Sequence, residues 1–432
     1  MMDGQVSHWS GDAGRPVPRL DLPGNISADV AIVGAGYTGL WTAYYLKKAR
    51  PGLRIVVIEE RHVGSGASGR NVGALTNAIT GGRERYVRAH GLDAVGRFHA
   101  AMTDTVSEIM RVAAAERIDA DIVHGGEFTV ATTPAQEARL RAFVASERRY
   151  PGTDLTLLEA AEAAEAAEAS RRINVAGARV ASWHPHAARI QPVKLARGLA
   201  NAVERLGVAI YERTRVVEVD PYELQTTHGT VTADHIVVTG AGVSGYLGGA
   251  RQRWFPVRAS LIATVPLPAE IWDAIGWASG EILREATRGV ISAQRTPDDR
   301  IVLGARAPAY RLGLGRGGDG AMSASSVRAL RETLQRLFPA TRGVELARAW
   351  SGSLPAARDG SATVGIDHAT GIAWGGGYAG SGIAASNLAG RTITDLVFGR
   401  ESELVALPWV QRPMPGSRRS PLAVVRSARR SR

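Results

Sequence analysis

Asp29-Val30-Ala31-Ile32-Val33-Gly34-Ala35-Gly36-Tyr37-Thr38-Gly39 is an apolar run that enters a Gly-x-Gly-x-x-Gly turn. Leu40 to Ala49 continues with helical character until Pro51-Gly52 stops it. Arg54 to Ile58 is a second apolar strand. Strand, helix and strand make a βαβ unit, which implies a parallel sheet. Within the turn, Gly34 permits the tight reversal, Gly36 lets backbone approach a pyrophosphate, and Gly39 lets the helix pack on the strand. Ala35, Tyr37 and Thr38 complete a helix start whose free N–H groups face negative charge. Glu59 ends the next strand 20 residues after Gly39, where a carboxylate can accept hydrogen bonds from both hydroxyls of a ribose. Glu60 and Arg61, directly after it, are grouped with it as cofactor-binding.

The turn alone leaves FAD and NAD open. The next segment favours FAD: Gly64-Ser65-Gly66-Ala67-Ser68-Gly69-Arg70-Asn71-Val72-Gly73 directly follows the second strand. Its small residues and hydroxyls can lie along a second phosphate and under a flat ring, a loop that an NAD-type unit does not need there. A second literal Gly-x-Gly-x-x-Gly, Gly240 to Gly245, is followed by no amphipathic helix and no strand ending in an acid, so a second dinucleotide is not expected.

Outward from this unit, helices are expected over 84–116, 134–149, 192–206, 323–338 and 383–398. Short strands are expected at 128–131, 208–211, 216–219, 224–227 and 236–239. Strand-rich stretches at 255–265 and 281–306 suggest a second sheet. The Ala/Glu repeat from Glu159 to Ser170 reads as a solvated helix. The 432 residues suffice for two or three domains' worth of core. Cys is absent, which excludes disulfides, Cys-ligated metals, Cys nucleophiles and cysteinyl cofactor links. No run of about 18 apolar residues suggests a membrane-spanning helix, and the polar stretch Met1–Asp21 has no signal core; a cytoplasmic protein is expected. The net charge is +11, but 49 of the 52 basic residues are Arg and six of those fall in residues 417–432. A basic, disordered tail over 413–432 explains much of the charge, and nucleic-acid binding is not expected.

In these motifs the chain resembles the FAD-dependent amine and amino-acid oxidoreductases of the D-amino-acid oxidase, glycine oxidase and sarcosine oxidase group. Within that group it is most similar to the gamma-glutamylputrescine oxidase-like branch. Thr214-Arg215-Val216 resembles the strand whose Val backbone meets the adenine. Ile236 to Ala241, with Thr239, Gly240 and Ala241, resembles the turn that closes the FAD domain. Arg348 to Gly352 resembles the Trp-Gly-Gly segment, and Gly377-Tyr378-Ala379-Gly380-Ser381-Gly382-Ile383 the loop at the flavin ring. Ala362, Gly242 and Val72 depart from the family's usual Pro, aromatic and Gly.

The resemblance implies an α/β protein with a Rossmann-like FAD-binding domain and a substrate domain built on a mainly antiparallel sheet. The expected division is 1–85, 171–250 and 341–412 for FAD, and 86–170 and 251–340 for substrate. It also implies oxidation of a C–N bond in a small amine or amino acid to the imine, with O2 or another acceptor re-oxidising the flavin. Oxidation of a 2-hydroxy acid is the rival chemistry, and a nucleotide-binding module with a basic tail the rival class. FAD is expected to be noncovalent: no Cys exists, and Arg70-Asn71 occupies the region where His-linked relatives carry His. The helix start at Gly380-Ser381-Gly382 can face charge developing on reduced flavin. No catalytic residue is assigned and no metal is expected. Substrate-side candidates are His184, His186, Arg295, Arg306 and Tyr310, with Arg the natural partner of a substrate carboxylate. None of Lys47, Lys48 and Lys194 is placed to serve a flavin face.

Overall fold

The computed structural model describes residues 7–14, 18–159, 173–239, 254–278, 280–306, 322–357 and 360–411. The Ala/Glu repeat beyond Glu159, the second glycine motif with Gly240 and Ala241, Tyr310 and the tail lie outside these residues. Among the described residues, no helix is long and apolar enough to cross a membrane.

The expected βαβ unit forms the centre of the first sheet. Ile26–Val33 lies between Ile55–Ile58 and Gly229–Val238, parallel to both. Ala209–Tyr211 extends one side and Ile372–Gly376 the other, again in parallel, and Thr363–Asp367 closes the edge antiparallel. Val30, Ala31, Ile32 and Val33 are all buried, because both faces of the strand are covered; that is why it reads as an unbroken apolar run and not an alternation. Val30 and Ile32 pack toward the helices Tyr37–Ala49, Pro192–Arg205 and Gly382–Val397. Ala31 and Val33 pack with Val219 and Leu224 of a small antiparallel pair, Val216–Asp220 and Glu223–Thr226.

Two of those helices cross closely. A Cβ at Gly390 would come within 2.8 Å of the Trp41 and Thr42 backbone, so Gly is needed for this approach. The crossing sets Gly382–Val397 against the first helix, Tyr37–Ala49.

The second sheet runs in the order Leu346–Ala357, Trp254–Thr264, Ile301–Arg306, Val290–Arg295, Ile282–Glu285, Glu127–Ala131, Val180–His184, Thr156–Glu159. Every neighbouring pair is antiparallel except Ile282–Glu285 with Glu127–Ala131. Strand alternation divides its residues. Ile262, Leu283, Ala293 and Leu303 turn toward a core that includes Leu330, Leu334 and Leu337 of the helix Ala324–Leu337. Their neighbours turn toward the nucleotide-binding unit.

The structure differs from the sequence reading at four places. Val180–His184 and Leu346–Ala357 pair within the second sheet, although the expected division gives both to the FAD side. Their backbone hydrogen bonds decide this, and chain proximity to FAD-side motifs does not. Glu159 ends a strand paired with Val180, so the helical repeat does not begin there. The N-terminal stretch forms a short helix, His8–Asp12; Trp9 is buried edge-on against Trp350.

Candidate active site

The first helix starts at Gly36, which has no side chain to cap it. The Tyr37 N–H instead bonds Ser68 Oγ at 2.9 Å, and a Cβ on Gly36 would sit 3.0 Å from that oxygen. A Cβ on Gly39 would run into the Gly34 carbonyl. Glu59 accepts from the Ala35 N–H at 2.8 Å, the Arg61 N–H at 3.0 Å and Ser65 Oγ at 3.3 Å. Burial nevertheless outweighs these bonds and raises its pKa. The Thr214 N–H bonds the Glu59 carbonyl at 2.9 Å, which brings the strand opened by buried Val216 beside this carboxylate. Glu60 is exposed next to it.

The loop 64–73 is braced from all sides. Asn71 Nδ2 donates to the Ala67 and Ser68 carbonyls, and its Oδ1 accepts from the Gly73 N–H at 2.8 Å. Arg70 donates to the carbonyls of Ser65 and Ser351. Trp9 and Trp350 donate to the Asn71 and Arg70 carbonyls at 2.8 and 3.1 Å. Arg70 therefore holds the loop's shape, while Ala67, Ser68, Asn71 and Val72 line a cleft beside it. Gly66 begins the short 3-10 turn that carries Ala67 and Ser68.

That cleft holds about 1120 Å³ of empty space, part of it open to solvent, between the two sheets. One wall carries Gly36, Tyr37, Thr38 and Thr239 with Gly380, Gly382, Ile383 and Ser386. Both helix starts therefore face the same space. The second, at Ser381, also makes no side-chain cap bond. Gly377 turns at φ +83°, and Ala379 holds φ +39°, a conformation that costs a non-Gly residue energy and marks a constrained loop. Tyr378 is buried; its hydroxyl accepts from Thr38 Oγ1 at 3.2 Å, and its carbonyl from Thr80 Oγ1 at 2.7 Å.

The opposite wall comes from the second sheet: Ala259, Leu261, Arg284, Val290, Ser292, Gly304, Arg306 and Leu354. Arg306 is thus brought in. Its pKa is lowered by burial and by the positive charge of Arg284. Arg295 is not brought in. It pairs with Asp299 at 2.6 Å, donates to the Trp277 carbonyl at 2.7 Å and stacks over Trp272 at 4.0 Å. His184 and His186 also stay off the cleft. His184 lies 3.8 Å from Glu127 and His186 2.5 Å from Asp154. His184 ends the strand Val180–His184 of the second sheet, and His186 follows in the turn after it. Arg284 and Ser292 are cleft residues that the sequence reading did not name; only strand register could have found them. None of the three lysines lines the cleft: Lys47 bonds the Pro51 and Leu53 carbonyls, and Lys194 pairs with Asp121.

A parallel-sheet nucleotide unit facing an antiparallel sheet across a shared cleft, with two uncapped helix starts on it, has the architecture of a two-unit dinucleotide-binding protein. The family model described as FAD dependent oxidoreductase (DAO) matches residues 29–396, and the chain belongs to that family. Gamma-glutamylputrescine oxidoreductase of Escherichia coli (strain K12) is 29% identical over 97% of this chain and 95% of its own. Glycine oxidase from Geobacillus kaustophilus superposes with a TM-score of 0.75 at 23% identity, over 90% of this chain and 100% of that one. L-proline dehydrogenase from P. horikoshii gives 0.72 at 16%, over 90% and 98%. The protein is an FAD-dependent oxidoreductase enzyme.

The residues present fit FAD. The absent Cβ at Gly36, the two uncapped helix starts and the half-buried Glu59 carboxylate supply room, N–H donors and a hydroxyl acceptor at successive points.

Proposed function

We propose that the chain oxidises a carboxylate-bearing small amine or amino acid at the carbon next to nitrogen. Gly34–Gly39 and Ser65–Gly73 would hold the pyrophosphate and its surroundings. Glu59, with Glu60, Arg61 and Val216, would hold the adenosine half, and Gly377–Ile383 the ring. Bound noncovalently, FAD supplies an acceptor for two electrons and a proton, delivered as hydride. The substrate's C–H electrons would leave as that hydride, the nitrogen lone pair would form C=N, and one N–H proton would pass to solvent. Water then hydrolyses the imine.

The observation that carries this reading is Arg306. It faces the cleft beside Gly380, and among the described residues no carboxylate offsets its charge. A half-buried, uncompensated guanidinium is a site for an anion, and carboxylate matches its fork. The relatives' names, which specify a glutamylated amine, glycine and proline, agree with an amine that carries a carboxylate. A neutral amine lone pair assists C–H cleavage without an acid–base pair, which suits a wall of Leu261, Val290 and Leu354. The final acceptor is O2 or another carrier, and with no lysine on the cleft we expect slow re-oxidation by air. A cytoplasmic location belongs to the same proposal.

The test is anaerobic bleaching of the flavin band across a panel of amino acids, diamines, acylated diamines and 2-hydroxy acids. Amines bearing a carboxylate should bleach it, faster as pH rises and the bound amine loses its proton. Arg306→Gln should raise KM more than it lowers kcat. Bleaching by 2-hydroxy acids alone would overturn the amine assignment.

A further inference from the structure

The loop 64–73 is held carbonyl by carbonyl from outside the nucleotide-binding unit. Four successive carbonyls, at Gly69, Arg70, Asn71 and Val72, accept bonds from Ser7 Oγ at 2.9 Å, Trp350 Nε1 at 3.1 Å, Trp9 Nε1 at 2.8 Å and Gln294 Nε2 at 2.5 Å. Trp350 and Gln294 belong to the second sheet, in the strands Leu346–Ala357 and Val290–Arg295. Ser7 and Trp9 belong to the segment that precedes the first strand. All four donor residues are buried, where an unpaired donor is costly, so these bonds hold the loop in one arrangement. Gly73 is required by the close approach: a Cβ there would run into the Gln294 amide.

The held carbonyls fix where the opposite edges of their peptides point, because N–H and C=O project in opposite directions from a trans peptide. The Arg70 N–H turns back to the Ala67 carbonyl at 3.3 Å, and the Gly73 N–H to Asn71 Oδ1 at 2.8 Å. The two N–H groups between them, on Asn71 and Val72, have no acceptor among the described residues. Both residues are half-buried and line the cleft. Their peptides are the ones whose carbonyls Trp350 and Trp9 hold, so both N–H groups point away from the tryptophan pair. Trp9 is itself fixed. Its ring stands edge-on to Trp350, and its carbonyl accepts from Gln191 Nε2 at 3.0 Å. Arg197 bonds the Ala13 and Gly14 carbonyls just beyond it at 2.7 and 2.8 Å.

We propose that Trp9 is a positioning residue for FAD. The segment 7–14 docks behind the loop and, through the indole N–H, aims the Val72 N–H at the cleft, where the flavin end of the cofactor would be held. The inference rests on the proposed placement of FAD along this loop and adds to it a determinant from outside both sheets. Trp9 acts through the loop and touches neither substrate nor reacting atoms. Its effect falls on the flavin end, because residues 34–39 and Glu59 at the other end take their bonds from other parts of the chain.

FAD and ADP, which lacks the flavin, separate this role from general support of the fold. Each is titrated into the full-length apoprotein, FAD by the change in its fluorescence and ADP by calorimetry. Trp9→Phe keeps an aromatic ring against Trp350 but removes the N–H. It should raise the Kd for FAD about three- to tenfold, the range expected for one hydrogen bond, and leave the Kd for ADP in place. Trp350→Phe, which removes the neighbouring donor from the second sheet, should give the same selective loss, and it carries the test if Trp9→Phe does not fold. An unchanged Kd for FAD, or an equal loss for FAD and ADP, overturns the positioning role. The underlying placement fails differently: Ala67→Leu, which fills the cleft at this loop, would then leave the Kd for FAD unchanged.

Discussion

Glu59 shows at the level of one side chain how a half-buried carboxylate is kept ready for a ligand. Two backbone N–H groups and Ser65 Oγ bond it, yet burial still raises its pKa. Ribose hydroxyls would complete its hydrogen bonding and favour the ionised form. Glu59→Ala should weaken FAD binding by about 1.5–3 kcal/mol, the worth of a hydrogen bond to a charged group. Equilibrium dialysis against free FAD measures this, and unchanged retention would remove Glu59 from the ribose. The pH dependence has a definite sign. Protonation removes the charged acceptor, so wild-type FAD affinity should fall as pH drops through the raised pKa, and Glu59→Ala should lack that limb.

Among the elements, the strand Glu127–Ala131 carries a charge that supports the cleft from behind. Burial alone would raise the Glu127 pKa, but Arg284 and then His184, with Thr76 adding a smaller contribution, hold it down at about 2. A depressed carboxylate stabilises the fold at pH above its unfolded value of 4.5 and loses that contribution as pH falls toward 2. Glu127→Gln leaves Arg284 without its counter-charge, which should cost about 3–5 kcal/mol at neutral pH. The difference in Tm between wild type and variant should therefore be steady above the carboxylate range and narrow below pH 4.5. A gap that stays constant down to pH 3 would show that the pair contributes through packing alone. His99, in the helical segment Arg83–Ala115 beyond its kink at Gly91, responds over a higher range. Its ring accepts from Arg83 at 2.6 Å, and burial together with Arg83 lowers its pKa to about 3. It stays neutral in the fold, and its contribution begins to fade as pH drops below 6.5.

At the scale of the whole molecule, the chain crosses repeatedly between the two sheets, and the cleft lies where they face each other. FAD spanning that cleft would bind only the folded arrangement. Saturation at a hundredfold excess over Kd should stabilise the protein by about 2.7 kcal/mol, read as a rise in Tm when FAD is titrated into apoprotein. Acid precipitation should leave the flavin in the supernatant, and flavin in the pellet would refute noncovalent binding. The nucleotide-binding half of this architecture was legible from local pattern. The unbroken apolar run at Val30–Val33, the spaced glycines and the carboxylate at Glu59 each report a neighbour close along the chain or a steric demand only Gly meets. Gly39 against the Gly34 carbonyl is such a demand.

The substrate half depended on pairings between distant residues, which local pattern does not encode. Arg295 and Arg306 are alike in sequence: each ends a short apolar strand. The hairpin pairs Arg295 with Ile301 and Val290 with Arg306, so the two arginines finish at opposite ends, roughly 17 Å apart at 3.4 Å per residue. One end meets Asp299 and Trp272, and the other meets the cleft. Arg284 and Ser292 became neighbours in the same way, through register across strands. The sequence by itself determined the dinucleotide turn, the parallel sheet and the family, because backbone sterics and strand periodicity act over a few residues. Only the tertiary structure decided which arginine faces the cleft and which strand residues line the wall beside it, because those depend on how separate strands align.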